Sequence, residues 1–164
     1  MPIEPADQKF FDAARGYAEL GMYRDANEEL EKIDPFLRAA PGVLALRIEI
    51  YRGLENWELM AELSKRLIEF QPDDPHWPVS MAYATRRATS IEAAKEILLN
   101  AAPKFPKEAV IPYNLGCYFC QLGNLNTAKE YLRRAFKIDP EWRKTALEDQ
   151  DLNPLWDSLQ ATIE

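Results

Sequence analysis

The stretch Ala109–Trp142, AVIPYNLGCYFCQLGNLNTAKEYLRRAFKIDPEW, decides the fold. In order it carries Leu115-Gly116, Phe119, Gly123, Ala128, Ala135 and Pro140. Pro140 closes a helix-like segment, RAFKIDP, and the same punctuation occurs upstream in NAAPKFP and RLIEFQP. Pro72, Pro106 and Pro140 therefore recur every 34 residues (140 − 106 = 34; 106 − 72 = 34). Such a period is the signature of a repeated supersecondary unit.

Moving back one period from Ala109–Trp142 tests the pattern. Over 75–108 the corresponding positions hold Met81-Ala82, Ala94, Ala101 and Pro106. Over 41–74 the small residues give way to Ile48, Met60 and Leu67, while Tyr51 and Pro72 stay in register. Over 7–40, Tyr17, Gly21 and Ala26 fit, and Pro35 arrives early, which predicts a shorter second helix there.

This order of small residues resembles the tetratricopeptide repeat (TPR), a helix–turn–helix unit of 34 residues. The resemblance covers about residues 7–142 and is most specific in the last two units. It implies an all-α, right-handed α-solenoid: one domain over 1–164, with repeats at 7–40, 41–74, 75–108 and 109–142 and capping helices over 143–164. The residue types suit that geometry. Gly116 and Ala82, facing Ala128 and Ala94, let paired helices approach closely. Gly21 and Gly123-Asn124 supply the turns. Asn56 and Ser90 are expected N-caps of the second helices of repeats two and three.

The bulk numbers agree with one soluble domain. The chain has 164 residues, 47% of them hydrophobic and 29% charged, ample for a core. Its net charge of −7 repels phosphate backbones and anionic lipid, so neither nucleic acid nor membrane is an expected partner. Met1–Gln8 lacks the basic flank and apolar run of a secretory leader. Two closely spaced cysteines do not make a disulfide framework. A cytoplasmic setting is the expectation.

The C-terminal end reads as a lid. A short helical stretch is expected over 143–149, and Asn153-Pro154 is expected to open another helix, with proline in a tolerated first-turn position. Leu152, Leu155, Trp156, Leu159 and Ile163 follow helical spacing. This amphipathic end either covers the last repeat, as terminal units of repeat arrays require, or docks onto a partner.

In TPR proteins the first helix of each unit lines the concave face. The resemblance therefore implies a groove formed by Gln8, Phe11, Arg15 and Glu19, then Ala45, Glu49 and Arg52. His76, Val79, Tyr83, Arg86 and Arg87 follow, and then Tyr113, Asn114, Cys117, Cys120 and Gln121. Arg52 and Arg86 share one slot of adjacent units, and Tyr83 and Tyr113 are amphipathic anchors of the sort that binding surfaces use. One expectation is capture of a protein or peptide segment bearing acidic groups. The other is an internally paired face, with Glu49 and Glu19 neutralising Arg52 and Arg15. The lysine and asparagine clamp by which some family members hold a chaperone C-terminus has no counterpart in these slots.

No catalytic constellation is expected, and no cofactor or metal. Cys117-Tyr118-Phe119-Cys120 is a CxxC inside a predicted helix, where neither a relaxed disulfide nor an activated thiolate is favoured. Zinc needs more ligands than these and the single histidine, His76, provide. No serine or cysteine nucleophile is expected beside His76. The functional expectation is a non-enzymatic interaction scaffold. A secretion-type chaperone, a redox protein using Cys117 and Cys120, and end-to-end self-association through Phe10 or Trp156 are the alternatives.

Overall fold

Helix starts keep the proline period. In the computed structural model, which describes residues 5–160, Tyr23, Trp57, Ile91 and Leu125 each open a helix, 34 positions apart. Contacts divide the chain into two compact units, Met1–Ala88 and Thr89–Glu164. The first holds α1 (Pro5–Glu19), α2 (Tyr23–Leu30), α3 (Pro41–Gly53), α4 (Trp57–Phe70) and α5 (His76–Ala88). The second holds α6 (Ile91–Ala101), α7 (Val110–Gln121), α8 (Leu125–Ile138) and α9 (Trp142–Glu148). A 3₁₀ segment, Gln150–Leu155, and α10 (Trp156–Gln160) follow. There is no strand among the described residues, and the architecture is an all-α helical repeat.

Three slots of the repeat account for the local structure. The turn slot holds Gly21, Glu55, Thr89 and Gly123. Gly21 and Gly123 take φ of 75° and 79°, and Glu55 is forced to 55°, a left-handed conformation that costs an L-residue about 1–2 kcal/mol. The next slot is the N-cap of each second helix. Asn56, Ser90 and Asn124 accept from the backbone N–H three residues on, at 3.3, 3.1 and 3.3 Å. Met22, in the same slot, provides no side-chain cap.

The third slot holds buried residues one period apart. Ala26, Met60, Ala94 and Ala128 are each fully buried, as are Ala14, Ile48 and Ala82 on the first helices. Gly116 completes that set: a Cβ there would lie 2.8 Å from the Leu132 side chain and 3.4 Å from the Ala128 carbonyl. Ile48 and Met60 fill the degraded slots of repeat two, in a cluster with Leu44, Leu63, Leu67, Trp77 and Ala84. Here packing tolerates larger residues because both faces of the contact changed together.

The early Pro35 has the expected effect: α2 is eight residues long against 14 for α4. The chain after it is irregular but anchored. Ile33 and Leu37 enter a cluster with Leu30, Val43 and Ile50, and Arg38 donates to the Ile33 carbonyl (2.8 Å) and to Glu31 (2.6 Å).

The C-terminal end differs from the expectation in one respect. Pro154 lies within the 3₁₀ segment, and the α-helix begins only at Trp156. Asp149 caps this segment by accepting from the Asp151 N–H at 3.0 Å, a local turn that competes with α-helix. Leu152 and Leu155 are buried, and the Trp156 indole N–H donates to the Ala146 carbonyl at 3.2 Å. Ile163 lies outside the described residues.

Candidate functional site

The first unit gathers an aromatic and arginine cluster where α3, α4 and α5 meet. Tyr83 of α5 sits edge-on to Trp57, the first residue of α4, with centroids 5.8 Å apart. Arg87, one turn after Tyr83, places its guanidinium 3.5 Å from the Tyr83 centroid and 5.2 Å from that of Trp57. It also donates to the Tyr83 carbonyl at 3.1 Å. Arg52 of α3 lies 5.3 Å from the same tyrosine ring. Two cations on one ring concentrate positive charge over a half-buried aromatic pair, each cation–π contact contributing about 0.5–1 kcal/mol where exposed. Glu49 offsets part of that charge, 3.4 Å from Arg52. Arg86 is half-buried and engaged with neighbours.

Trp57 was absent from the slot-derived groove because it belongs to a second helix. Elsewhere in this unit Arg15 pairs with Asp12 at 3.0 Å and not with Glu19, the acid N-terminal to the base being the favoured orientation on a helix. Arg15 also lies 6.0 Å from the Phe11 ring. Gln8 donates to Asp12. Ala45 and Val79 are half-buried and Glu19 is exposed.

His76 does have a serine neighbour, contrary to the expectation. Ser80 Oγ lies 3.3 Å from His76 Nε2, one helical turn on. Ser80 is 1% exposed and the histidine ring packs edge-on to Trp77. Both hydrogen-bonding atoms belong to the same helix face, which makes this pair a local helix contact in the described surroundings.

In the second unit the slot-derived residues meet the chain's own C-terminal segment. The Tyr113 hydroxyl donates to Asp149 Oδ2 at 2.8 Å, and Cys117 Sγ lies 3.5 Å from the same oxygen. Gln121 donates to the Asp151 carbonyl at 2.8 Å. The Trp142 ring is tilted against Tyr113 at 4.3 Å. Tyr113 and Cys117 are 3% and 2% exposed, so the 3₁₀ segment covers what the repeat pattern alone leaves open. Asn114 is half-buried. Burial pushes the Tyr113 phenol well above its ordinary value, with the nearby Cys117 and Asp149 adding to the effect.

Cys117 and Cys120 are unbridged and buried. Burial, then the Asp151 and Asp149 charges, push the Cys120 thiol up, opposite to the shift that activates a nucleophilic thiolate. Among the described residues no group of three or more His, Cys, Asp or Glu could hold a metal ion. No helix of the described residues is long and apolar enough to cross a membrane.

No family model matches this sequence, and no curated protein matches it. Among solved structures the chain is similar to YrrB, a TPR protein with an unusual peptide-binding site. The two are 22% identical with a TM-score of 0.68, over 82% of this chain and 70% of that one. A double mutant of MamA aligns with a TM-score of 0.72 at 15% identity, over 83% of this chain and 76% of that one. A thermophilic TPR protein of Thermus thermophilus aligns at 0.65 and 20%, over 93% and 82%. At these identities the likeness shows the fold: a helical repeat of the tetratricopeptide type.

Proposed function

We propose, from the premise of a tetratricopeptide-repeat fold, that this chain is a non-enzymatic scaffold that captures a protein or peptide segment through its first unit. The observation that carries the reading is the Trp57–Tyr83 pair flanked by Arg52 and Arg87. Such a cluster offers a rigid, partly apolar anchor with cations at its edge, the composition of binding hot spots. A segment with an aromatic or aliphatic side chain beside a carboxylate fits both halves. Exposed ion pairs are worth only about 0.2–1 kcal/mol each, so the anchor supplies most of the affinity and the arginines its selectivity. The fold shared with YrrB, a TPR protein with an unusual peptide-binding site, supports a peptide as the kind of ligand.

The test is an array of short synthetic peptides that vary the anchor and the number of acids, probed with wild type and with Tyr83→Ala/Arg87→Ala. The expected result is that peptides pairing an anchor with an acid bind wild type and bind the variant at least tenfold more weakly, with both proteins folded by circular dichroism. Unchanged affinity of the variant for every bound peptide would remove the basis for this reading.

A further inference from the structure

We propose that the second unit carries a separate groove that docks a carboxylate-rich peptide segment bearing one large apolar side chain. The groove, of about 470 Å³, runs along α8 beside the start of α9 and residues Ser158 and Leu159 of α10. That volume falls within the about 300–1,000 Å³ typical of ligand sites. Its basic side is regular. Lys129, Arg133 and Lys137 line it at successive i,i+4 positions of α8, and Arg143 of α9 adds a fourth cation. At 1.5 Å rise per residue, the three on α8 span about 12 Å.

Like charges at i,i+4 repel, and none of the residues lining the groove is acidic. Lys129, Arg133 and Lys137 form no ion pair among the described residues, whereas Lys144 nearby is held by Glu141 at 2.9 Å. Four cations thus converge in a chain whose net charge is −7, with no acidic side chain among the residues that line the groove. Apolar residues share the lining. Leu132, 1% exposed, is less accessible than the half-buried Phe136 and Leu159, and all three line the groove. Arg143 lies 5.8 Å from the Phe136 ring, which joins the basic and apolar residues.

Charge complementarity selects an anionic occupant, and the apolar lining residues select among anions. A nucleic-acid backbone meets the cations but leaves the apolar residues of the lining unused. An acidic peptide with a leucine or phenylalanine satisfies both, in the manner of acidic motifs read by basic clusters. The groove lies wholly in the second unit and shares no residue with the Tyr83 cluster.

The probe is the fluorescein-labelled peptide Glu-Glu-Ala-Leu-Phe-Glu-Glu, titrated with full-length protein and read by anisotropy at low and high salt. The expected result is saturable binding that weakens with salt, weakens at least tenfold in Arg133→Glu/Lys137→Glu, and weakens likewise when Leu-Phe in the peptide becomes Ala-Ala. Both substituted side chains are exposed, and a thermal melt equal to wild type confirms that the variant is folded. Tyr83→Ala/Arg87→Ala is expected to retain the binding. The proposal is overturned if the charge-reversed variant binds as wild type does, or if binding is lost only in the Tyr83→Ala/Arg87→Ala protein. It is equally overturned if a single-stranded oligonucleotide binds more tightly than the peptide, or if the groove variant abolishes only self-association.

Discussion

The Tyr113 hydroxyl and Asp149 Oδ2, 36 positions apart in the chain, meet at 2.8 Å beneath the C-terminal segment. This contact ties α7 to the turn that follows α9, and Asp149 in turn caps the 3₁₀ segment. The hydroxyl must stay protonated to donate. Its pKa is raised in the folded state by burial first, then by Cys117 and Asp149. A raised pKa means that the contribution to stability is complete below the unfolded tyrosine value of 10.0 and declines as pH rises above it.

Tyr113→Phe should therefore lose about 1.5–3 kcal/mol near neutral pH, the worth of a hydrogen bond to a charged acceptor. It should also flatten the loss of stability above pH 10. Urea unfolding of both proteins between pH 7 and 11 measures this; parallel curves would show that the phenol is not the titrating group.

Glu55 occupies the turn slot that Gly21 and Gly123 fill, with φ of 55°. Glu55→Gly should raise stability by about 0.5–1 kcal/mol, the relief of left-handed strain less the extra freedom of glycine when unfolded. A lower urea midpoint would mean that the glutamate side chain contributes more than its backbone costs.

Met22 stands where Asn56, Ser90 and Asn124 cap their helices. Met22→Asn should stabilise the chain by about 1 kcal/mol, because α2 begins with no side-chain acceptor and is only eight residues long. Amide exchange should slow at residues 24 and 25 in particular, where the new cap accepts.

Ala128 is fully buried, and its carbonyl lies 3.4 Å from where a Cβ on Gly116 would be placed. Ala128→Leu should overpack the α7–α8 contact and cost about 1–3 kcal/mol. A thermal midpoint within one degree of wild type would contradict this packing.

Much of the fold was legible because its determinants are local and repeat. The turn glycines, the Asn56 and Ser90 caps and the short α2 before Pro35 each follow from residues within a few positions of one another. The degraded slots at Ile48 and Met60 were harder, since only mutual accommodation of two helices shows that they stay buried. The candidate site was legible in part. Arg52, Tyr83 and Arg87 came from the repeat register, whereas Trp57 came from a helix that the register assigns elsewhere. The stripe Lys129, Arg133 and Lys137 is plain in α8, but without its neighbours it resembles any solvated basic face.

By itself the sequence determined the period, the helices and the small residues at their crossings, because these depend on backbone geometry and on contacts between adjacent segments. Only the tertiary structure decided what stands open and what is covered. Tyr113 and Cys117 are closed over by residues more than 30 positions away, and Arg87 spends its charge on two rings from different helices. Burial and charge pairing are properties of neighbours in space, and no periodicity along the chain specifies them.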